Sequence, residues 1–220
     1  MVACMDGGYV AFDLETTGVD PLSDEIIQVG AVRLVGTELA AEWCTYVDPG
    51  RPIPSRIARL TGIDNHTVTG CPSPVEALRS FAAFAGEATL VAHNAPFDLA
   101  FLAAALPDYA GRARVIDTLE LGKLLLPAAR THRLGALARE LGVEHEREHD
   151  ALADAKATAG LFLRLMSILR GMDRRLLERL DRLLGPLATP LASLIAEAAA
   201  AAPPGLGRRV GRARGRSALF

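Results

Sequence analysis

Cysteine is scarce in this 220-residue chain: Cys4, Cys44 and Cys71 are its three, and they lie far apart. No CxxC pair offers a zinc site, and no disulfide framework is available to staple the fold. Free thiols of this kind suit a reducing, cytoplasmic setting. Met1–Gly8 has neither a basic segment nor an apolar stretch, so no secretory leader is expected there. Long uncharged runs are missing too. Leu183–Ala202 comes nearest, with Glu197 as its one charge, but Pro186, Pro190 and Ser193 make it a poor anchor. No membrane partner is expected. Net charge is small, at −2, but unevenly spread. Gly205–Phe220 holds five arginines and no acid, which leaves 19 basic against 26 acidic residues elsewhere, a formal −7.

The chain is half hydrophobic, enough for one compact domain with appendages. Three apolar runs, Tyr9–Leu14, Asp24–Val35 and Glu38–Val47, are separated by turn residues around Gly18–Ser23 and Gly36-Thr37. They read as an antiparallel three-strand meander. Helical segments then alternate with strands. Helices are expected at 56–60, 74–85, 97–106, 118–126, 134–141 and 150–169, and strands at 89–92 and 114–116. The pattern predicts an α/β fold: a mixed five-stranded sheet with helices on both faces. Residues 1–170 form the expected domain, 171–202 a helical extension, and 203–220 a Pro/Gly/Arg-rich basic tail expected to be disordered.

The segment richest in chemistry is Phe12–Gly18, F-D-L-E-T-T-G. Side chains two apart on a strand leave the same face, so Asp13 and Glu15 point together from an apolar strand. Two like charges so placed repel unless a cation sits between them. Carboxylates of this kind bind hard divalent ions such as Mg²⁺. Two further segments could join this pair, although Asp98 or Asp154 taken singly reads as an ordinary surface carboxylate and only Asp98 sits in an apolar helix start. V-A-H-N-A-P-F-D ends in Asp98 at a helix start, and H-D-A-L-A-D runs from His149 to Asp154 in the first turns of a long helix. Asp13, Asp117 and the His93/Asn94 pair all fall at expected strand C-termini, the edge where open α/β sheets place their sites. A histidine has an ordinary pKa near about 6.5 and suits general-base work near neutral pH. His145 lies four residues before His149, a helical zinc spacing, but Glu144–Asp150 is densely charged and follows Gly142. His145 is therefore expected in a solvated loop.

F-D-L-E-T-T-G, H-N-A-P-F-D and H-x-x-x-x-D, in that order, resemble the three motifs of the DnaQ-like DEDDh 3′→5′ exonucleases, a group that includes the epsilon subunits of DNA polymerase III. The resemblance covers about residues 8–170. It implies an RNase H-like fold and two Mg²⁺ (or Mn²⁺) ions, with Asp13 bridging them. It implies Glu15 and Asp154 beside the ion that activates water, Asp98 acting on the other through water, and His149 as general base. It also implies that Leu14, Thr16, Thr17 and Gly18 hold the 3′-terminal nucleotide. Thr61 stands where epsilon subunits often carry a histidine, near the substrate. His93, Asn94 and Asp117 are expected behind the site, as supports.

The expected partners are single-stranded DNA or RNA 3′ ends. A DNA polymerase or sliding clamp is a further candidate. The terminal Ser-Ala-Leu-Phe resembles clamp ligands ending in Leu-Phe, and the arginines suit phosphate contact. A non-catalytic docking module is the contrary reading, but such a module has no use for five converging polar groups.

Overall fold

Alternation decides the first strand. In β1 (Tyr9–Thr16), Val10, Phe12 and Leu14 are buried in one apolar cluster, while Tyr9, Ala11, Asp13 and Glu15 leave the opposite face. β2 (Ile26–Val35) returns antiparallel, and β3 (Glu38–Tyr46) follows after the two-residue turn at Gly36, whose φ is +63°. A glycine there accepts the left-handed backbone at no steric cost. The computed structural model describes residues 8–203. The basic tail and its clamp-like end lie outside the described residues, apart from Pro203.

The helices and remaining strands follow in chain order. They are α1 (Ser55–Thr61), α2 (Asn65–Val68), α3 (Pro74–Ala85), β4 (Thr89–Ala92), α4 (Ala95–Ala105), α5 (Pro107–Ala110), β5 (Val115–Asp117), α6 (Thr118–Leu125), α7 (Leu134–Glu140) and α8 (Ala151–Arg170). The sheet order is β3-β2-β1-β4-β5, with β4 and β5 parallel to β1. This is the mixed five-stranded sheet expected from the sequence.

Helices cover both faces. Leu78 and Phe81 of α3 and Phe101 and Leu102 of α4 pack on the Phe12 face. α8 lies on the other, where Phe162 meets the Tyr9 ring at 4.9 Å between centroids. Local chemistry starts several helices. Ser73 and Glu76 form a reciprocal capping box on α3, with Pro74 in its first turn. The Asp117 carboxylate caps α6 by accepting from Leu119 N at 2.8 Å.

The chain divides into two compact units at residues 169/170. In the second, α9 (Arg174–Leu184) and α10 (Pro190–Ala201) form a helical pair, capped by Asp173 and Thr189 respectively. Among the described residues no helix is long and apolar enough to cross a membrane.

Candidate active site

β4 ends early, and that opens the site. Its ladder with β1 stops at Ala11↔Val91, while β1 runs on to Thr16 beside β2. The backbone past that point needs partners. Asp98, at the start of α4, supplies one: its Oδ1 accepts from Leu14 N at 3.1 Å. Asp98 thereby reaches β1 from the Phe12 side while being only 2% exposed.

α8 brings Asp154 from the other side. Asp154 lies on the buried stripe Ala151, Asp154, Ala155, Thr158 and Phe162, so the helix that packs on the sheet carries this acid inward. The start of α8 is seated on β2. Gly30 pairs with Asp13 across the ladder, and a Cβ there would stand 2.3 Å from the Ala151 backbone. Gln28 pairs with Glu15, is buried, and accepts from Ala151 N through Oε1 at 3.0 Å. Its amide also reaches Asp150 Oδ2 at 3.4 Å. β2 thus both makes room for the helix and caps it.

Gln28→Leu removes this buried acceptor and is expected to cost about 1–3 kcal/mol. That should lower the thermal midpoint by roughly 2–12 °C for a domain of this size. A midpoint within about 1 °C of wild type, with unchanged activity, would show that the cap does not hold α8.

A cavity of about 340 Å³ collects the result. Asp13, Glu15, Asp98, Asp154 and His149 all line it, together with Leu14, Thr16, Gly18, Thr61 and His93. The acids are strongly interdependent. Burial first, then the facing Asp98, Asp154, Glu15 and Asp150, push the Asp13 carboxyl well above the usual carboxylate range. Burial, then Asp154 and Asp150, push Glu15 up to about 8. Asp98 is raised chiefly by burial, against the opposing Leu14 amide. Asp154 is raised by burial, against its bonds to His145 and His149. A cation among these four carboxyls would offset the repulsion and favour their ionised forms. Ligand atoms of Glu15, His149 and Asp154 all lie within 4.8 Å of one another. This oxygen-rich donor set fits a hard divalent ion.

His149 sits in the turn ahead of α8 with a left-handed backbone, φ +64°, and its amide donates to Asp154 Oδ2 at 3.2 Å. The other Asp154 oxygen is taken by His145 Nε2. This corrects the expectation of a solvated His145: its side chain is 9% exposed, and its Nδ1 is buried without a partner among the described residues. The loop folds inward because α7 and α8 offer glycines. The His145 ring comes to 3.4 Å from where a Cβ of Gly135 would be, and Val143 packs over Gly160. Arg147 holds the same loop by donating to Thr61 O at 2.9 Å.

Other expected residues sort by geometry. Thr16 and Gly18 reach the cavity, but Thr17 does not line it. A break in the ladder register between Glu15 and Thr16 interrupts the alternation. Thr17 turns inward instead, bonding to Asp24 at 3.2 Å and accepting from Glu25 N at 3.0 Å. The Thr61 hydroxyl is committed to its own helix end, donating to Ile57 O and accepting from Ile63 N. His93 lines the cavity, while Asn94 and Asp117 lie behind it, joined by Asn94 N to Asp117 Oδ1 at 3.0 Å. Arg56, unremarked in the sequence, also lines the cavity, and its side chain has no polar partner among the described residues.

Residues 10–162 match the exonuclease (RNase T) family model. The chain belongs to that exonuclease family. It is therefore a phosphodiester hydrolase of the DnaQ-like group that the three motifs indicated. Curated relatives include DNA polymerase III PolC-type of Halalkalibacterium halodurans, 38% identical over 154 residues. The match takes in 69% of this chain but 11% of that protein. The Bacillus subtilis PolC-type polymerase is 39% identical over 148 residues, 66% of this chain and 10% of its own length. The chain thus spans about a tenth of these relatives. Among solved structures, exonuclease X in complex with 5′-overhanging duplex DNA aligns with a TM-score of 0.60 at 26% identity, covering 72% of this chain and 91% of that one. The nuclease domain of 3′hExo, a DEDDh family member bound to rAMP, shares the fold with a TM-score of 0.61 at 20% identity, over 72% of this chain and 91% of that one.

Proposed function

We propose that this exonuclease works in the 3′→5′ direction with two metal ions, releasing nucleoside monophosphates from single-stranded or frayed DNA 3′ ends. The observation that carries the reading is the convergence of Asp13, Glu15, Asp98, Asp154 and His149 on one cavity. The four acids would hold two Mg²⁺ (or Mn²⁺) ions. Ions bound there stabilise charge on the phosphoryl and leaving 3′ oxygens. Asp13 faces both Asp98 and Asp154 electrostatically, which suits it to bridging. His149 takes the proton of the attacking water, from a turn held by Asp154. Leu14, Thr16 and Gly18 present backbone and small side chains to the terminal nucleotide, with Thr61 as a wall of the pocket. Arg56 meets an incoming phosphate, since it lines the same cavity and its side chain forms no hydrogen bond or ion pair among the described residues. His93, Asn94 and Asp117 fix the ends of β4 and β5 behind the site.

The PolC-type relatives support a proofreading role beside a DNA polymerase, in the cytoplasm. Clamp binding through the terminal Leu219-Phe220 is the parallel suggestion for the tail. DNA is favoured over RNA by the relatives named for DNA polymerase and by exonuclease X.

The test is incubation with 5′-labelled single-stranded DNA and RNA of equal sequence, in Mg²⁺, Mn²⁺ or EDTA. A ladder shrinking from the 3′ end of DNA, with either metal and not in EDTA, is expected. A ladder on RNA alone would make the protein an exoribonuclease. No ladder under any condition would overturn the reading.

A further inference from the structure

Beside the acidic cavity lies a second hollow of about 520 Å³, lined in part by His93, Asn94, Lys123, Thr131, His132 and Arg133. The two share His93, so they adjoin at the end of β4. Their electrical characters are opposite. Among the described residues no carboxylate lines the second hollow, and two full cations do. Lys123 and Arg133 are exposed, and neither side chain has a polar partner among the described residues. In a body that is acidic outside its tail, two unpaired cations facing one hollow suit a polyanion.

The hollow is a built feature. His93 Nε2 donates to His132 O at 2.9 Å, tying the loop before α7 to the end of β4. His132 Nε2 donates to Leu126 O at 3.0 Å, tying the same loop to the end of α6. These bonds set the backbone between Lys123 and Arg133, which stand on different elements yet line one wall.

We propose that this hollow is a track for the phosphodiester backbone of a single strand whose 3′ end occupies the acidic cavity, with Lys123 and Arg133 each neutralising one phosphate. The proposal rests on the nuclease reading above and gives it a path for the substrate. A pocket for the mononucleotide product would use the same phosphate chemistry. Length separates the two, because a track gains affinity from phosphates beyond the terminal one.

The experiment compares wild type with the double variant Lys123→Glu/Arg133→Glu. Fluorescence anisotropy with a labelled oligonucleotide of about 12 nucleotides, with Ca²⁺ in place of Mg²⁺, is read across a salt series. The double variant should bind about tenfold more weakly at ~100 mM salt, and its slope of log affinity against log salt should be shallower by about 1.4. Thymidine monophosphate, measured by competition, should compete equally well against both proteins. Unchanged affinity and slope would overturn the track. So would equal losses for strand and monophosphate, which would assign the hollow to product. Mononucleotide release by wild type in Mg²⁺ is scored separately. Salt-dependent binding lost in the variant, without release by wild type, would sink the nuclease reading and keep the track.

Discussion

Asp13→Asn is expected to abolish cleavage while making the metal-free protein more stable at pH 8. Two effects of opposite sign arise from one carboxylate. In the metal-free state Asp13 is buried among Asp98, Asp154, Glu15 and Asp150, and all of them raise its pKa. An acid whose folded pKa exceeds its unfolded value binds more protons when folded. Its contribution to stability is neutral below the unfolded pKa, and it becomes increasingly unfavourable as pH rises toward the folded value. For Glu15 that window runs from 4.5 to about 8. The full shift corresponds to about 5 kcal/mol of destabilisation if Glu15 acted alone. The thermal midpoint in EDTA should therefore fall between pH 5 and pH 8. Mg²⁺ or Mn²⁺ should raise it again at pH 8 by binding the folded form.

Asparagine at position 13 removes one buried like charge at nearly constant volume. The variant should melt above wild type in EDTA at pH 8 and gain less from added metal. Its rate of mononucleotide release should drop by about 10³-fold or more, the scale of losing one group that stabilises transition-state charge. Differential scanning fluorimetry and a release assay read both halves. A variant that cleaves normally, or one that melts below wild type in EDTA at pH 8, would contradict the acid-cage account.

His149→Ala should lower kcat by about 10²–10⁴-fold, the usual contribution of a positioned general base. The main contact that holds this residue in place is made by its backbone amide, which donates to Asp154 and survives the substitution. The left-handed φ of +64° is less comfortable for alanine than for asparagine, so His149→Asn serves as the companion variant. Both should show the same loss under single-turnover conditions. His149 is close enough to Glu15 and Asp154 to ligate an ion, and metal titration distinguishes the two roles. For a base, the half-saturating Mg²⁺ concentration stays where it is while the plateau rate falls. If saturation shifts and the plateau recovers at high Mg²⁺, His149 is a ligand instead.

The sheet and the acid pair were legible because both follow from short-range rules. Period-two burial in Tyr9–Thr16 forces Asp13 and Glu15 to one face, and the Gly36 turn sets the meander. Asp154 was legible only through the H-x-x-x-x-D spacing of the family resemblance; the buried helical stripe that turns it inward appears in the structure. The rest depended on partners distant in sequence. Gln28 and Gly30 sit in the run I-I-Q-V-G-A-V, where nothing local distinguishes them. Only the ladder register sets them opposite Glu15 and Asp13, and only α8, more than a hundred residues on, makes use of them. His145 was misread because its neighbours are charged and its burial is decided by the space left at Gly135 and Gly160. Thr17 was misplaced by a register shift that no residue in F-D-L-E-T-T-G announces.

One absent methyl group has reach well beyond its own strand. Because nothing projects from residue 30, the backbone of α8 descends onto the sheet until it touches β2. The gap between Asp154 and the β1 acids is thus gauged from beneath, as a shim sets a clearance, by a strand that donates no reactive group. Even the smallest side chain at that position would lift the helix and widen the gap. The second strand therefore belongs to the tolerance of the machine, and a side chain added at residue 30 should disturb the chemistry although the strand itself touches no substrate.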